Sequence, residues 1–326
     1  MFNHPWRYEA LSNLKNLAVI AVILLGTITI YTYLISKENE TSQGLSFIED
    51  FRQVDDYPLY VARYVGDYRF DEYLETGIRP RLGSFGCTCF AVGSIVGRNF
   101  DFPPNPVLLL FTDPVDGYKS VSMVDLGYFD YGMGDLPVDA CGLEETPYMP
   151  FDGMNEKGLV VTMAAVPSAE SPSGNKRSVG EIAAIRLLLD YAATVDEAVE
   201  LLSGVNVVMA DPPIHYLVSD ASGESAVVEF VGGEMNVYRS TEFGIITNFI
   251  LTGVDLPGDS PCYRYDLVYR GLSDNVVVSL EVAWGLLEGS SQPSTIWSCV
   301  YDKENLSVHV VMGGKYGSVH TFSLDS

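Results

Sequence analysis

The stretch Gly86-Cys87-Thr88-Cys89-Phe90-Ala91-Val92-Gly93-Ser94-Ile95-Val96-Gly97-Arg98-Asn99-Phe100-Asp101 decides how the rest of the chain reads. A free thiol is mostly protonated at neutral pH, so a cysteine nucleophile needs a base. Histidine is the usual one. Here the histidines are His4, His215, His309 and His320. His215 sits on a strand-like run, and no Cys-His-Asn pattern appears. A liberated α-amine titrates near ~7.7 to 8 and can replace the imidazole. That chemistry demands a cut between Gly86 and Cys87. Gly86 has no Cβ, which lets the backbone take strained angles and lets the thiol approach the Gly86 carbonyl. Attack there gives a thioester that water releases.

The residues that follow add the charges such a site needs. A strand is expected over Phe90 to Val96. After a turn, Arg98 and Asp101 return beside the thiol on a neighbouring strand. A guanidinium favours thiolate, and a carboxylate can hold a new ammonium. The plain alternatives stay open at this point: an inert buried thiol and a surface Arg-Asp pair worth little.

Downstream, short apolar runs alternate with turns. Val107 to Phe111, Leu159 to Ala164, His215 to Val218, Ala226 to Phe230, Ile245 to Thr247, Trp297 to Tyr301 and Val308 to Val311 read as strands. Asp220-Ala221-Ser222-Gly223 and Gly232-Gly233 are turn signals between paired strands. Ser178-Val179-Gly180-Glu181 has capping-box spacing ahead of Ile182, Ile185, Leu188 and Leu189. Thr194-Val195-Asp196-Glu197 repeats the signal, and Gly204 stops that helix. A third helix is expected over Leu280 to Leu287. Strands, then helices, then strands predict a layered α+β fold.

Upstream, Leu17 to Ile35 carries no charge. An apolar helix of ~20 residues spans a bilayer. The run ends in Tyr33-Leu34-Ile35-Ser36-Lys37, a poor cleavage site, so a retained anchor is expected rather than a signal peptide. Arg7 and Lys15 precede the run and bias the N-terminus to the cytoplasm, with the main domain outside. Asn39-Glu40-Thr41 fits a glycosylation sequon. The expected organisation is a tail and anchor over 1–37, a linker and pro-segment over 38–86, and a catalytic domain over 87–326.

The 326 residues carry a formal charge of −24. Such a surface repels polyanions, so nucleic acid is not an expected partner and small molecules are. The cysteines are Cys87, Cys89, Cys141, Cys262 and Cys299. No CxxC pair occurs and the histidines lack zinc-site spacing, so no metal or cofactor is expected.

The ordered motifs resemble the N-terminal-nucleophile amide hydrolases of the choloylglycine hydrolase, penicillin acyltransferase and acid ceramidase-like group. That family opens on Cys-Thr-x-Phe/Ile and then Gly-Arg-Asn-x-Asp; here stand Cys87-Thr88-Cys89-Phe90 and Gly97-Arg98-Asn99-Phe100-Asp101. Gly153-Met154-Asn155-Glu156-Lys157-Gly158-Leu159, Ser219-Asp220-Ala221-Ser222-Gly223-Glu224-Ser225, Thr247-Asn248, Leu256-Pro257-Gly258-Asp259 with Tyr263-Arg264-Tyr265, and Thr295-Ile296-Trp297-Ser298-Cys299 follow in family order. The resemblance implies a four-layer αββα sandwich with Cys87 at a strand start. It implies that Arg98 and Asp101 flank the nucleophile, that Asn248 helps hold the oxyanion, and that Arg264 is a distal active-site arginine. It further implies a self-processing amidase acting on a small N-acyl amide; the anchor expected over 17–35 would tether it. An amine acceptor in place of water would make it an acyltransferase.

The chain departs from the family pattern in three ways. Ala165 stands where the bile-salt enzymes carry a second oxyanion asparagine. Cys89 replaces a small residue and shares a strand face with Cys87, as a second thiol or as core. The long leader resembles the internally cleaved branches, with the segment before Cys87 retained as a smaller chain. Other classes remain: a catalytically silent binding module on the same fold, or a thiol redox protein using Cys87 and Cys89.

Overall fold

Gly93, with φ +51°, turns the chain back within the span where one strand over Phe90 to Val96 is expected. The apolar run is therefore a hairpin, β3 over Gly86–Val92 and β4 over Ile95–Asp101. Its register sets Gly86 opposite Asp101, Cys87 opposite Phe100 and Cys89 opposite Arg98. A buried strand shows no alternation, so periodicity alone could not reveal the turn.

The computed structural model describes residues 47–76, 86–210, 212–257, 260–275 and 277–325. The apolar run 17–35, the sequon at Asn39 and the Gly258-Asp259 part of the Leu-Pro-Gly-Asp motif lie outside these. Among the described residues no helix is long and apolar enough to cross a membrane.

The hairpin sits in a six-stranded sheet, ordered β14-β3-β4-β15-β16-β17. The other members are β14 over Phe243–Ile246, β15 over Thr295–Asp302, β16 over Ser307–Met312 and β17 over His320–Ser323. A nine-stranded sheet, ordered β1-β2-β5-β6-β7-β8-β11-β12-β13, faces it. It comprises β1 (Phe47–Asp55), β2 (Leu59–Val65), β5 (Val107–Asp113), β6 (Ser120–Asp125), β7 (Asp152–Asn155), β8 (Val160–Ala165), β11 (Ile214–Ser219), β12 (Ser225–Val231) and β13 (Glu234–Ser240). Helices α2 (Glu181–Tyr191) and α3 (Val195–Ser203) cover the larger sheet. Helices α4 (Tyr263–Ser273) and α5 (Leu280–Ser290) cover the smaller one. A parallel pair, β9 (Arg177–Gly180) and β10 (Val205–Val208), lies beside α2. Mixed α+β layering is thus as expected.

Local signals hold at α3, where Thr194 Oγ1 accepts from Glu197 N at 3.2 Å. They fail at α2. Ser178 lies in β9, and Gly180 caps the helix without a side-chain bond. Pairing with β10 uses the backbone that a capping box would need. The motif around Asn155 is a turn device. Asn155 Oδ1 accepts from Lys157 N and Leu159 N at 3.0 and 3.1 Å, and its Nδ2 donates to Leu189 and Ala192 carbonyls. Gly158, with φ +76°, completes the turn between β7 and β8.

Residues 47–76, ahead of Gly86, are built into the body. β2 pairs in parallel with β5 from Leu59 opposite Val107 to Val65 opposite Asp113. Helix α1 (Phe70–Thr76) brings Tyr73 onto Tyr148, stacked at 3.9 Å. Tyr68 Oη donates to Asp190 at 2.6 Å, and Asp190 pairs with the buried Arg186 at 3.2 Å.

Asp125, fully buried at the end of β6, accepts from Gly127 N at 2.8 Å and from Asn105 Nδ2 at 3.3 Å. Burial pushes its carboxyl up to about 6, against these two bonds. A carboxyl whose folded value lies above its unfolded one binds more protons when folded, so its contribution to stability falls as pH rises from about 4 to about 6. Asp125→Asn keeps an acceptor for Gly127 and removes the buried charge. Relative to the parent chain, the variant should gain about 2–3 kcal/mol between pH 4 and pH 7. Paired urea titrations across that range check it; a constant difference contradicts it.

Candidate active site

Strand alternation divides the residues around Cys87 between two faces. Residues directly opposite one another on paired strands share a face. Cys87, Cys89, Arg98 and Phe100 therefore point into the space between the sheets. The register of β15 adds Trp297 beside Phe100 and Cys299 beside Arg98. Thr88, Asn99 and Asp101 point the other way, toward α4 and α5.

On the inner face, the fully buried Arg98 guanidinium is the dominant charge. Its Nη2 lies 3.4 Å from Cys87 Sγ. Its Nη1 lies 3.0 Å from Asp152 Oδ2 and also donates to the Phe151 carbonyl. The guanidinium carbon sits 5.0 Å from the Phe100 ring centre and 5.9 Å from that of Trp297. Burial alone would lower the Arg98 pKa, but Asp152 together with Cys87, Cys89 and Cys299 more than offsets it, and the group stays charged. Asp152 is itself satisfied by Trp297 Nε1 at 3.2 Å, Cys299 Sγ at 3.5 Å and the Tyr301 hydroxyl. Nothing in the sequence reading singled out Asp152. Its signal was position, at the start of a buried strand immediately before the Gly-Met-Asn motif.

On the outer face, Arg264 gathers the remaining groups. It enters from the first turn of α4 and bonds the Cys87 carbonyl at 2.8 Å and Thr88 Oγ1 at 3.1 Å. It pairs with Asp101 Oδ2 at 3.2 Å and donates to Asn248 Oδ1 at 2.7 Å. Asp101 Oδ1 accepts from Thr295 Oγ1 at 2.6 Å. Burial pushes the Asp101 carboxyl up, opposed by Thr295, Arg264 and Arg98. Helix α4 is absent from the sequence reading. Its buried positions Tyr265, Val268 and Leu272 do keep helical spacing, but its tyrosines and charges mask the stripe.

Asn248 closes the set. Its Oδ1 accepts the Cys87 backbone N–H at 3.0 Å, and its Nδ2 donates to the Ala165 carbonyl at 2.8 Å. Ala165 thus offers a main-chain acceptor where the bile-salt pattern has a side-chain donor. All five candidate residues, Cys87, Arg98, Asp101, Asn248 and Arg264, lie within one contact network.

Gly86 needs a different explanation from the one its residue type suggests. Its φ is not positive. A Cβ there would lie 2.9 Å from Asp101 Oδ2, so a side chain would force the carboxylate to shift. Cys87 and Cys89 are both fully buried in the continuous chain. Burial pushes the Cys87 thiol well up, and Arg98 and Arg264 only partly offset it. Cys89 is pushed up to about 11 by burial, and its Sγ lies 3.6 Å from the Met163 carbonyl.

The arrangement can place a charged donor beside a thiol, an acceptor on the adjoining nitrogen and a cation on the adjoining carbonyl. The family of linear amide C–N hydrolases, choloylglycine hydrolase family, matches residues 90–249. A penicillin V acylase of Pectobacterium atrosepticum is 30% identical over 110 residues, 30% of this chain and 29% of that protein. An uncharacterised protein of Paramecium bursaria Chlorella virus 1 is 34% identical over 108 residues, 30% of this chain and 38% of that protein. The chain thus aligns with about a third of the length of these curated relatives. Among solved structures, the penicillin V acylase of Agrobacterium tumefaciens superposes with a TM-score of 0.53 at 18% identity, covering 74% of this chain and 86% of that one. A conjugated bile acid hydrolase variant from Clostridium perfringens gives 0.54 at 16% identity, covering 73% and 92%. Sequence and fold agree: residues 90–249 match the linear amide C–N hydrolases of the choloylglycine hydrolase family, and the described body shares the fold of solved penicillin V acylase and conjugated bile acid hydrolase structures.

Proposed function

We propose that this protein is a self-processing cysteine hydrolase of linear, non-peptide amide C–N bonds. Cys87 supplies both nucleophile and base. One observation carries the reading: three polar side chains converge on three different atoms of Cys87. Asn248 takes its N–H, Arg264 its carbonyl and Arg98 its thiol.

Maturation begins when Cys87 Sγ attacks the Gly86 carbonyl carbon. The C–N bond breaks as the nitrogen gains a proton, leaving a thioester. Water then releases Gly86 as a carboxylate and leaves Cys87 with a free thiol and α-amine. In catalysis the amine takes the thiol proton, and the thiolate, favoured by Arg98, attacks the substrate carbonyl. Asn248 orients the amine through Oδ1 and supplies its amide nitrogen as the oxyanion donor, a role worth about 3–4 kcal/mol of barrier. The amine returns its proton to the leaving nitrogen, and water hydrolyses the acyl-enzyme. An amine acceptor in its place would give acyl transfer.

Substrates of this reading are small N-acyl amides. The parallel pairing of β2 with β5 supports retention of the segment before Cys87 as a smaller chain after the cut. The uncharged run 17–35 supports a single-pass anchor on that chain, with the catalytic domain extracytoplasmic. If so, the full chain should stay in the membrane pellet after alkaline carbonate washing. A chain starting at residue 38 should be released; equal release of both contradicts the anchor.

Intact-mass analysis tests the chemistry. The purified protein should contain a chain beginning at Cys87 and release free amine from at least one member of a panel of penicillin V, a conjugated bile acid and N-fatty-acyl amines. Cys87→Ala should remain one uncut chain and release none. An uncut parent chain with full amidase activity contradicts the reading.

Asp152→Asn should leave Arg98 buried without its counter-charge. Urea unfolding should show a loss of about 3–5 kcal/mol, with slower appearance of the Cys87-starting chain. A loss under about 1 kcal/mol would place the pair among the energetically silent ones.

A further inference from the structure

His215 is completely buried, and the chemistry above does not use it. The register that sets Tyr216 opposite Val228 puts His215 across from Glu229, which is also completely buried. The ring Nδ1 lies 3.0 Å from Glu229 Oε1, and Nε2 lies 2.8 Å from the Thr247 carbonyl. A carbonyl only accepts, so Nε2 carries a hydrogen. Glu229 accepts from Leu251 N at 2.7 Å, Thr252 N at 3.0 Å and Thr252 Oγ1 at 2.9 Å. Burial would raise its carboxyl, but the His215 bond and these others outweigh it and hold it below the usual carboxylate range. The two side chains form a completely buried, hydrogen-bonded pair.

This pair grips one short segment at both ends. His215 holds the carbonyl of Thr247, and Glu229 holds the backbone of Leu251 and Thr252. Asn248 lies between these anchor points. The segment leaves β14 in the six-stranded sheet, while both gripping residues belong to the nine-stranded sheet. The clasp therefore ties Asn248 to the opposite sheet from the one that carries Cys87.

We propose that His215 and Glu229 are positioning residues for Asn248, fixing its side chain against the Cys87 nitrogen by clamping residues 247–252. The inference rests on the role assigned to Asn248 above, taken to hold also for the oxyanion formed at Gly86 during the cut, where Asn248 already accepts the Cys87 N–H. The rate at which the 326-residue chain converts to the chain starting at Cys87, followed by intact mass, reads it without any substrate.

Asn248→Ala is expected to slow conversion ~100-fold. His215→Ala is expected to slow it ~10-fold or more. His215→Gln loses the imidazole contact with Glu229 as well but keeps an N–H for Thr247, so its rate should stay within ~3-fold of the parent. Both variants should melt at similarly reduced temperatures, which separates stability from positioning. The double variant His215→Ala with Asn248→Ala should convert no more slowly than Asn248→Ala alone, because the two residues act on one step. Multiplied losses, or His215→Gln as slow as His215→Ala, overturn the proposal and leave the role of Asn248 standing. A parent-like rate for Asn248→Ala overturns both.

If His215→Ala does not fold, Thr252→Val probes the same carboxylate. It removes the hydroxyl bond to Glu229 and one from Tyr238 Oη at 2.8 Å. It should slow conversion ~3-fold in the parent chain and not at all with Asn248→Ala. Equal slowing in both backgrounds, or none in the parent, overturns the proposal.

Discussion

A guanidinium with no solvent exposure is the constraint around which this molecule is built. Arg98 cannot be neutralised by losing a proton, so the interior must answer its charge. Asp152 does so across the gap between the sheets at 3.0 Å, and the rings of Phe100 and Trp297 flank the cation. Asp152 in turn is held by Trp297, Cys299 and Tyr301. A buried pair of this kind contributes little net stability, but losing either member strands the other. Its value lies in location: the same guanidinium meets the Cys87 thiol.

The hairpin gives the site two separately wired faces. Alternation sends the thiol inward to Arg98 while the neighbouring carbonyl and Thr88 meet Arg264 from the helix layer. A one-residue slip in the register of β3 against β4 would send the thiol toward α4 and detach it from Arg98. Gly86 guards that register from the outer face, since any side chain there would meet Asp101. The nine-stranded sheet contributes Asp152, the Ala165 carbonyl and the clasp on Asn248. The site is thus a junction between sheets, and it forms only when both are folded.

Much of this was legible in the residues. The spacing of Gly-Arg-Asn-x-Asp after the cysteine put Arg98 and Asp101 on the neighbouring strand; the register sets Arg98 on the face of the thiol and Asp101 on the opposite face against Arg264. Thr194 announced its helix correctly. Other features were hidden for physical reasons. The Gly93 turn lies inside an apolar run that reads as one strand. Ser178 has the spacing of a cap but is committed to pairing with Asn206. Asp152 and Thr295 sit at or beside quoted motifs, but their partners, Arg98 and Asp101, are far off in sequence and no local pattern names them. His215 reads as an ordinary strand residue until Glu229, Thr247 and Thr252 are seen around it. The described part of the pro-segment shows acids and aromatics in the sequence, but its role as the last two strands of the large sheet depends on a partner 48 residues away, Leu59 on Val107.

On the proposed reading, burial shields the Cys87 thiol from external reagents while the chain is continuous, and release of its nitrogen supplies the base for turnover. The alkylation rate of Cys87 by iodoacetamide, located by peptide mapping and measured before and after the cut at Gly86, tests that coupling most directly. Cys87 should be essentially unlabelled in the continuous chain and react rapidly at neutral pH once it is the N-terminus. Equal labelling of Cys87 in the two forms would contradict it.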